Sequence, residues 1–219
     1  PQRAPASGIG LLTAALDRRR LRGVAAPTLL SCDNLRDNGP ALQRSVLEHA
    51  HHLDAELADW IEREARFPSS MVDRIVPATT AAARDEAERA LSLRDEAVVT
   101  TEPFSQWVIE DNFAGERPPL DVAGVQFVPS VRPFEIAKLR MLNGSHSTLA
   151  YVGILAGYEF VHEAIADPDI AALIRQLMTR ELAPTLSPTP GFDPVHYQHS
   201  LLRRFANPAI RYRLAQIAM

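Results

Sequence analysis

Cysteine is almost missing from this chain: Cys32 stands alone among 219 residues. An intrachain disulfide framework is therefore excluded, and a reducing compartment is expected. Long apolar runs are missing too. The most apolar stretch, Leu149 to Phe160, is broken by Gly153, Gly157 and Glu159, short of the ~20 residues a membrane span requires. The opening segment PQRAPASGIG lacks the apolar core of a signal peptide. No block of single-sign charge occurs; 23 Lys+Arg face 27 Asp+Glu, a net charge of -4. That balance argues against a chain built mainly to grip nucleic acid or an anionic membrane. Together these absences lead us to expect a cytoplasmic globular protein with neither nucleic acid nor membrane as its partner.

What is present is a sizeable core. The composition is 46% hydrophobic and 23% charged, ordinary for a globular fold. At roughly 150 residues per domain the length corresponds to about one and a half domains. Gly10 to Arg22 reads as a helix, with Leu11, Leu12, Ala15 and Leu16 on one stripe and Gly23 as its stop. Pro27 to Cys32 is a short apolar run ending in Ser31-Cys32-Asp33-Asn34, and it reads as a buried parallel strand. Ligands of doubly wound sheets bind beyond such strand ends, which is where Asp33 and Asn34 would lie. Asn38-Gly39-Pro40 is a turn and helix start, and Leu42, Val46, Leu53, Leu57 and Ile61 predict one helix over Ala41 to Arg66, closed by Phe67 to Ser70. Asp85 to Leu93 predicts a short exposed helix. Glu96 to Ile109 and Val125 to Val128, rich in Val, Thr, Phe and Trp, predict strands.

From Glu135 onward the pattern is helical, with one long helix predicted over Ile136 to Ala166. Asp167-Pro168, Asp193-Pro194 and Asn207-Pro208 each pair an Asx cap with a proline at the first helical position, announcing three more. The expected fold is α/β followed by all-α, with domains 1–130 and 131–219. Both ends look cut within an element, so a fragment of a longer protein is expected.

The segment Lys138 to Ser147, KLRMLNGSHS, carries the chemistry. At 100° per residue, His146 falls about 80° and Asn143 about 140° from Lys138. An amine, a carboxamide and an imidazole then share a helical face. Such a set can move a proton off an alcohol: lysine as base, amide as donor to the oxygen, histidine as substrate holder. The obstacle is the ordinary lysine pKa of about 10.4, which desolvation or a nearby cation would have to lower. On spacing alone the trio reads more readily as a solvated helix face, and Glu135 as an i,i+3 partner of Lys138.

Several segments together resemble the long-chain mannitol dehydrogenase family, which includes mannitol 2-dehydrogenases and mannonate oxidoreductases (fructuronate reductases). They are Ser31-Cys32-Asp33-Asn34 with Asn38-Gly39, and Phe67-Pro68-x-Ser70-Met71-Val72-Asp73-Arg74-Ile75. Thr101-Glu102-Pro103-Phe104 with Gln106 to Asp111 follows, then KLRMLNGSHS, Arg204-Phe205-Ala206-Asn207-Pro208 and Ile217-Ala218-Met219. They run in order over nearly the whole chain. The resemblance implies the C-terminal part of a Rossmann-type dinucleotide-binding domain, followed by the first part of a helical substrate domain of the 6-phosphogluconate-dehydrogenase-like type. It implies an NAD(P)-dependent oxidoreductase, metal-independent, acting on the small-molecule pairs mannitol/fructose or mannonate/fructuronate. NAD is the implied cofactor, with NADP possible, and the implied state is a monomer or weak oligomer. By the same resemblance Lys138 is the general acid/base, Asn34 and Asn143 hold the substrate oxygen, and His146 orients the carbonyl. Asp73 lies near substrate hydroxyls, and Glu135 gates a proton path.

The glycine-rich cofactor turn of the family is not matched; Gly8-Ile9-Gly10 has neither a third glycine in place nor a preceding strand. Gln216 stands where mannitol-oxidising members are expected to carry arginine, which tilts toward the sugar-acid branch. A sugar-acid carboxylate wants a cation, and Arg140 or Arg204 could supply it. His49, His51 and His52 with Asp54 follow no familiar metal-ligand pattern; His196-x-x-His199 has spacing compatible with i,i+3 ligation, but no acidic or cysteine partner is evident. Cys32 reads as a small core residue, and Gly153-x-x-x-Gly157 as a tight helix contact. The competing reading is a non-catalytic helical interaction domain derived from such an enzyme.

Overall fold

The structure, a computed structural model, describes residues 6–219; the first five residues of the PQRAPASGIG segment lie outside them. By contacts the chain divides into two compact units. The first runs up to Val72 and takes in Gln106–Arg132; the second comprises Asp73–Ser105 and Pro133–Met219.

In the first unit, α1 (Gly8–Leu21) starts at Ser7, whose hydroxyl accepts from the Gly10 N–H. Three arginines, Arg18 to Arg20, sit in its last turn, where the helix dipole favours them. The expected long second helix is two: α2 (Asn38–Leu53) and α3 (Ala55–Glu64). Asp54 is the cause. Its backbone is extended, and its carboxylate accepts from the Glu56 N–H at 2.9 Å while pairing with Arg20. A short acidic side chain competes with the helix for backbone donors and starts a new one. Leu16, Val46, Ala50, Leu57 and Ile61 from the three helices bury against Leu29 and Phe67.

Among the described residues the sheet has three strands, in the order β1 (Ser70–Asp73), β2 (Gln106–Glu110), β3 (Gln126–Val128). β2 and β3 run parallel, with Val108 opposite Gln126. Periodicity predicted no strand at β1, and it placed the start of β2 ten residues early. Pro103 lies between Glu96 and the strand and cannot donate to a ladder. The expected strand over Pro27 to Cys32 is reduced to one parallel bridge, Thr28 to Arg66. Beyond it, side chains take the backbone groups. The Ser31 carbonyl accepts from the Ser70 hydroxyl at 2.6 Å and from the Asn38 amide at 3.2 Å. Cys32 is exposed, so the expected core role is corrected: its residue lies past the single bridge.

In the second unit, Thr80 caps α4 (Ala81–Leu91). The long helix predicted after Glu135 is segmented. α5 (Arg132–Ala137) runs into a π-helical turn, Lys138–Gly144, and then α6 (Ser145–Leu155). Gly157, at φ +89°, turns the chain toward α7 (Val161–Ala166). Gly153 does mark tight packing: a Cβ there would sit 2.8 Å from both Ala164 Cβ and Leu214 Cδ1. Two of the three Asx-Pro signals start helices, α8 (Pro168–Gln176) and α9 (Pro194–Phe205), with Asp167 and Asp193 accepting from the first-turn N–H groups. The third does not. After Asn207 the chain makes a turn and then extends, pairing Arg213 with Phe160 and donating Leu214 N–H to the Glu159 carbonyl, before α10 (Leu214–Ile217). Met141, Leu149, Ile174, Met178, Leu201, Phe205 and Leu214 form the fully buried centre of this unit.

Candidate active site

The π-turn determines which side chains share a face. In an α-helix residues four apart stack; an i→i+5 ladder stacks residues five apart instead. Lys138 opens this turn and Asn143, five residues on, lies within it, so the turn brings closer in angle two positions that an ideal α-helix would separate by about 140°. His146, three residues on in the first turn of α6, follows at roughly 60° from Asn143. π-turns are rare and concentrate at functional sites; the sequence carries no periodicity signal for this one.

Beneath this face lies a buried charged cluster. Arg204, on α9, donates from Nη1 to Asp73 Oδ2 at 3.0 Å and from Nη2 to Asp73 Oδ1 at 2.6 Å. Its Nε and Nη2 also bond Glu102, at 2.8 to 3.1 Å. The Tyr197 hydroxyl donates to Asp73 Oδ2 at 2.7 Å, and Glu102 caps the Ile75 N–H at 2.6 Å. Phe104 covers the guanidinium face at 4.1 Å. Asp73 is 0% exposed and Glu102 2%. The burial that opposes charge on Arg204 is outweighed by its hydrogen bonds to Asp73 and Glu102, which hold it firmly protonated. Burial and Asp73 push the Tyr197 phenol well above its usual range.

Lys138 feels this cluster. Burial drives its ammonium below the ordinary lysine range; Asp73 opposes, Arg204 reinforces, and Glu135 opposes. Desolvation and a nearby cation, either of which lowers a lysine pKa, thus both act here, with Asp73 opposing more than Arg204 adds. His146 is buried, stacked on Phe205 at 5.0 Å between centroids, with Tyr212 tilted against it at 5.2 Å. Burial, then Arg204, pushes its pKa down to about 4, so the imidazole is neutral near pH 7. Its Nε2 is buried without a hydrogen-bond partner among the described residues.

The remaining expected site residues divide clearly. Glu135, on α5, acts electrostatically on Lys138. Asn143 is half-buried in the π-turn. Arg140 is exposed and donates to the Thr185 carbonyl at 2.6 Å. Arg204, expected as a possible cation for a substrate carboxylate, has its guanidinium enclosed by Asp73, Glu102 and Phe104. Asp73 is sealed in the same way. Asn34 lies exposed in the first unit, in a loop tied down by Asn38, whose amide donates to the Ser31, Asp33 and Ser70 carbonyls. Gly39 beside it is required by close approach, since a Cβ would lie 2.7 Å from Ser69 N and 2.8 Å from the Pro68 carbonyl carbon. Sequence reasoning assigned no role to Glu102, Tyr197 or Asn38. A signal existed for Tyr197: it precedes Arg204 by seven residues, two turns along one face of α9. Among the described residues, no group of three His, Cys, Asp or Glu could hold a metal ion, so the His49–His52 and His196–His199 clusters do not assemble into ligand sets.

The family patterns likewise match an α/β part and a part that follows it. The chain belongs to the mannitol dehydrogenase family: residues 2–122 match the mannitol dehydrogenase Rossmann domain and residues 130–219 the mannitol dehydrogenase C-terminal domain. It is 49% identical over 216 residues to the D-mannonate oxidoreductase of Escherichia coli (strain K12), covering 99% of this chain and 44% of that protein. A D-sorbitol dehydrogenase in substrate-free form matches with TM-score 0.91 at 41% identity, over 98% of this chain and 44% of its own. The Pseudomonas fluorescens mannitol 2-dehydrogenase, in a ternary complex with NAD and D-mannitol, matches with TM-score 0.84 at 43% identity, over 97% and 43%. The chain thus spans less than half the length of these proteins.

Proposed function

We propose that this chain carries the proton-transfer part of an NAD(P)-dependent oxidoreductase that interconverts a secondary alcohol and a ketone, on a polyol or a sugar acid. Mannonate/fructuronate and mannitol/fructose are the two substrate pairs, in keeping with the names of its relatives. Lys138 supports this reading most directly: it is held below the usual lysine range by burial, and it shares a π-turn with Asn143.

In the oxidative direction Lys138 accepts the proton of the reacting hydroxyl; in the reductive direction it returns it. Asn143 donates from its carboxamide to the oxygen on which charge develops. His146, neutral, offers its unpartnered Nε2 to a substrate oxygen and orients the reacting carbon without adding positive charge. Glu135, three residues before Lys138, passes the proton toward solvent. For Asn34 the oxygen-holding role rests on the motif resemblance alone.

A nicotinamide cofactor supplies the hydride exchange. Gly8 and Gly10 lie inside α1 rather than in a strand–turn–helix, so among the described residues none is assigned to hold its pyrophosphate. No metal is invoked.

The test uses the polypeptide encoded by the intact gene. NADH consumption is followed with fructose and, separately, fructuronate, for wild type and Lys138→Ala. The variant should lose about 10²- to 10⁴-fold in kcat. Activity that survives the substitution removes Lys138 from the role. Folded, NADH-binding protein that turns over neither ketose favours a non-catalytic interaction domain instead.

A further inference from the structure

The buried cluster near Lys138 holds two carboxylates, one guanidinium and a phenol, and none of them has a part in the chemistry above. We propose that Glu102 and Tyr197 are positioning residues that set the charge on Lys138 through the Asp73–Arg204 pair, and that they act in opposite senses. This inference rests on the reading of Lys138 as the acid/base.

The geometry makes the cluster a fixed source of field. Arg204 is bonded by Asp73 on one side and by Glu102 on the other, with Phe104 over its face. It cannot turn away without stranding two carboxylates that water barely reaches, with side-chain exposures of 0% and 3%. Charges so enclosed are weakly screened, and their effect on a neighbour is larger than that of surface charges. Asp73 from β1, Arg204 from α9 and Glu135 from α5 act on Lys138; Tyr197 from α9 and Glu102 from the segment before β2 bond the Asp73–Arg204 pair, and His146 from α6 also feels Arg204. Of these, Asp73 favours the ammonium and Arg204 disfavours it.

Glu102 neutralises much of Arg204, and so shields Lys138 from a cation. Removing that negative charge leaves Arg204 less compensated, and the ammonium should become harder to keep. The Tyr197 hydroxyl points its positive end at Asp73 Oδ2. Removing that dipole leaves Asp73 more strongly negative toward Lys138, and the ammonium should become easier to keep. Loss of packing alone would reduce activity in both variants without moving a titration midpoint in either.

The experiment compares Glu102→Gln and Tyr197→Phe in the polypeptide encoded by the intact gene. Lys138 acylation by acetic anhydride is measured against pH by peptide mass spectrometry, a readout independent of turnover. The pH profile of kcat/KM for alcohol oxidation is recorded beside it. The acylation midpoint should fall by at least about half a pH unit in Glu102→Gln and rise by a few tenths in Tyr197→Phe. Midpoints that stay fixed, or that move in the same direction, overturn the inference. Midpoints that move as expected while the activity profile stays put uphold the control of the Lys138 charge and overturn instead the reading of Lys138 as the acid/base. Should Glu102→Gln fail to fold, Tyr197→Phe decides alone, and an unmoved midpoint there is sufficient to overturn it.

Discussion

The two units each bury one polar cluster beside a segment of the family signature, and they solve the same problem with different chemistry. In the α/β unit Asn38 ties down the Ser31–Asn34 loop with a neutral carboxamide. Three carbonyls and the Ser70 N–H are satisfied by one side chain. In the helical unit Arg204 ties together Asp73 and Glu102 by full charges. A neutral amide fixes position and leaves little field; a buried ion cluster fixes position and also biases every titratable group nearby. The second solution lies near Lys138, on which burial and Arg204 act against the charge and Asp73 for it. Rigidity is common to both clusters, and the field is the difference.

The contrast is broken most forcefully at its charged end. Arg204→Met should lower stability by about 3–5 kcal/mol, because two carboxylates remain buried without their cation. Urea unfolding at pH 7 measures it, and a loss no larger than that of a surface substitution would show that the cluster is not sealed.

Next is the pH dependence that burial imposes on His146. Its folded pKa is depressed, from 6.5 to about 4. The unfolded chain therefore takes up a proton that the folded chain refuses. The associated stability is complete above about pH 6.5 and is lost as pH falls toward 4, about 3 kcal/mol in all. Unfolding midpoints at pH 7 and pH 4.5 should separate more in the wild type than in His146→Gln. Equal separation would mean that the imidazole protonates in place.

At the neutral cluster, Asn38→Ala strands the Ser70 N–H and its partner carbonyls. The cost should be about 1–3 kcal/mol, with no movement of the Lys138 acylation midpoint. A moved midpoint would erase the distinction between the two clusters. The smallest expected effect lies outside both. Asp54→Ala removes the cap of α3 and should cost about 1 kcal/mol in thermal unfolding.

How much of this was legible in the residues depends on how local the cause is. The caps of α8 and α9 were read directly, since Asp167-Pro168 and Asp193-Pro194 act within one turn. The same signal at Asn207-Pro208 failed, because pairing with the Phe160 segment claimed the backbone that a helix would have used. Helical periodicity set Lys138, Asn143 and His146 at α-helical angles; the π-turn over Lys138–Gly144 changes those angles. Arg204 was picked out as a cation. Its enclosure was invisible, because its partners stand 131 and 102 residues away.

The sequence by itself determined the order of the motifs, hence the family, the division into an α/β and a helical part, and the residue types available for proton transfer. Those follow from local propensity and composition, which each residue carries with it. Only the tertiary structure decided which charges are buried and which are paired, and so that Lys138 is pushed below its usual range and His146 stays neutral. Desolvation and Coulomb interactions act through space, between elements that sequence distance does not connect.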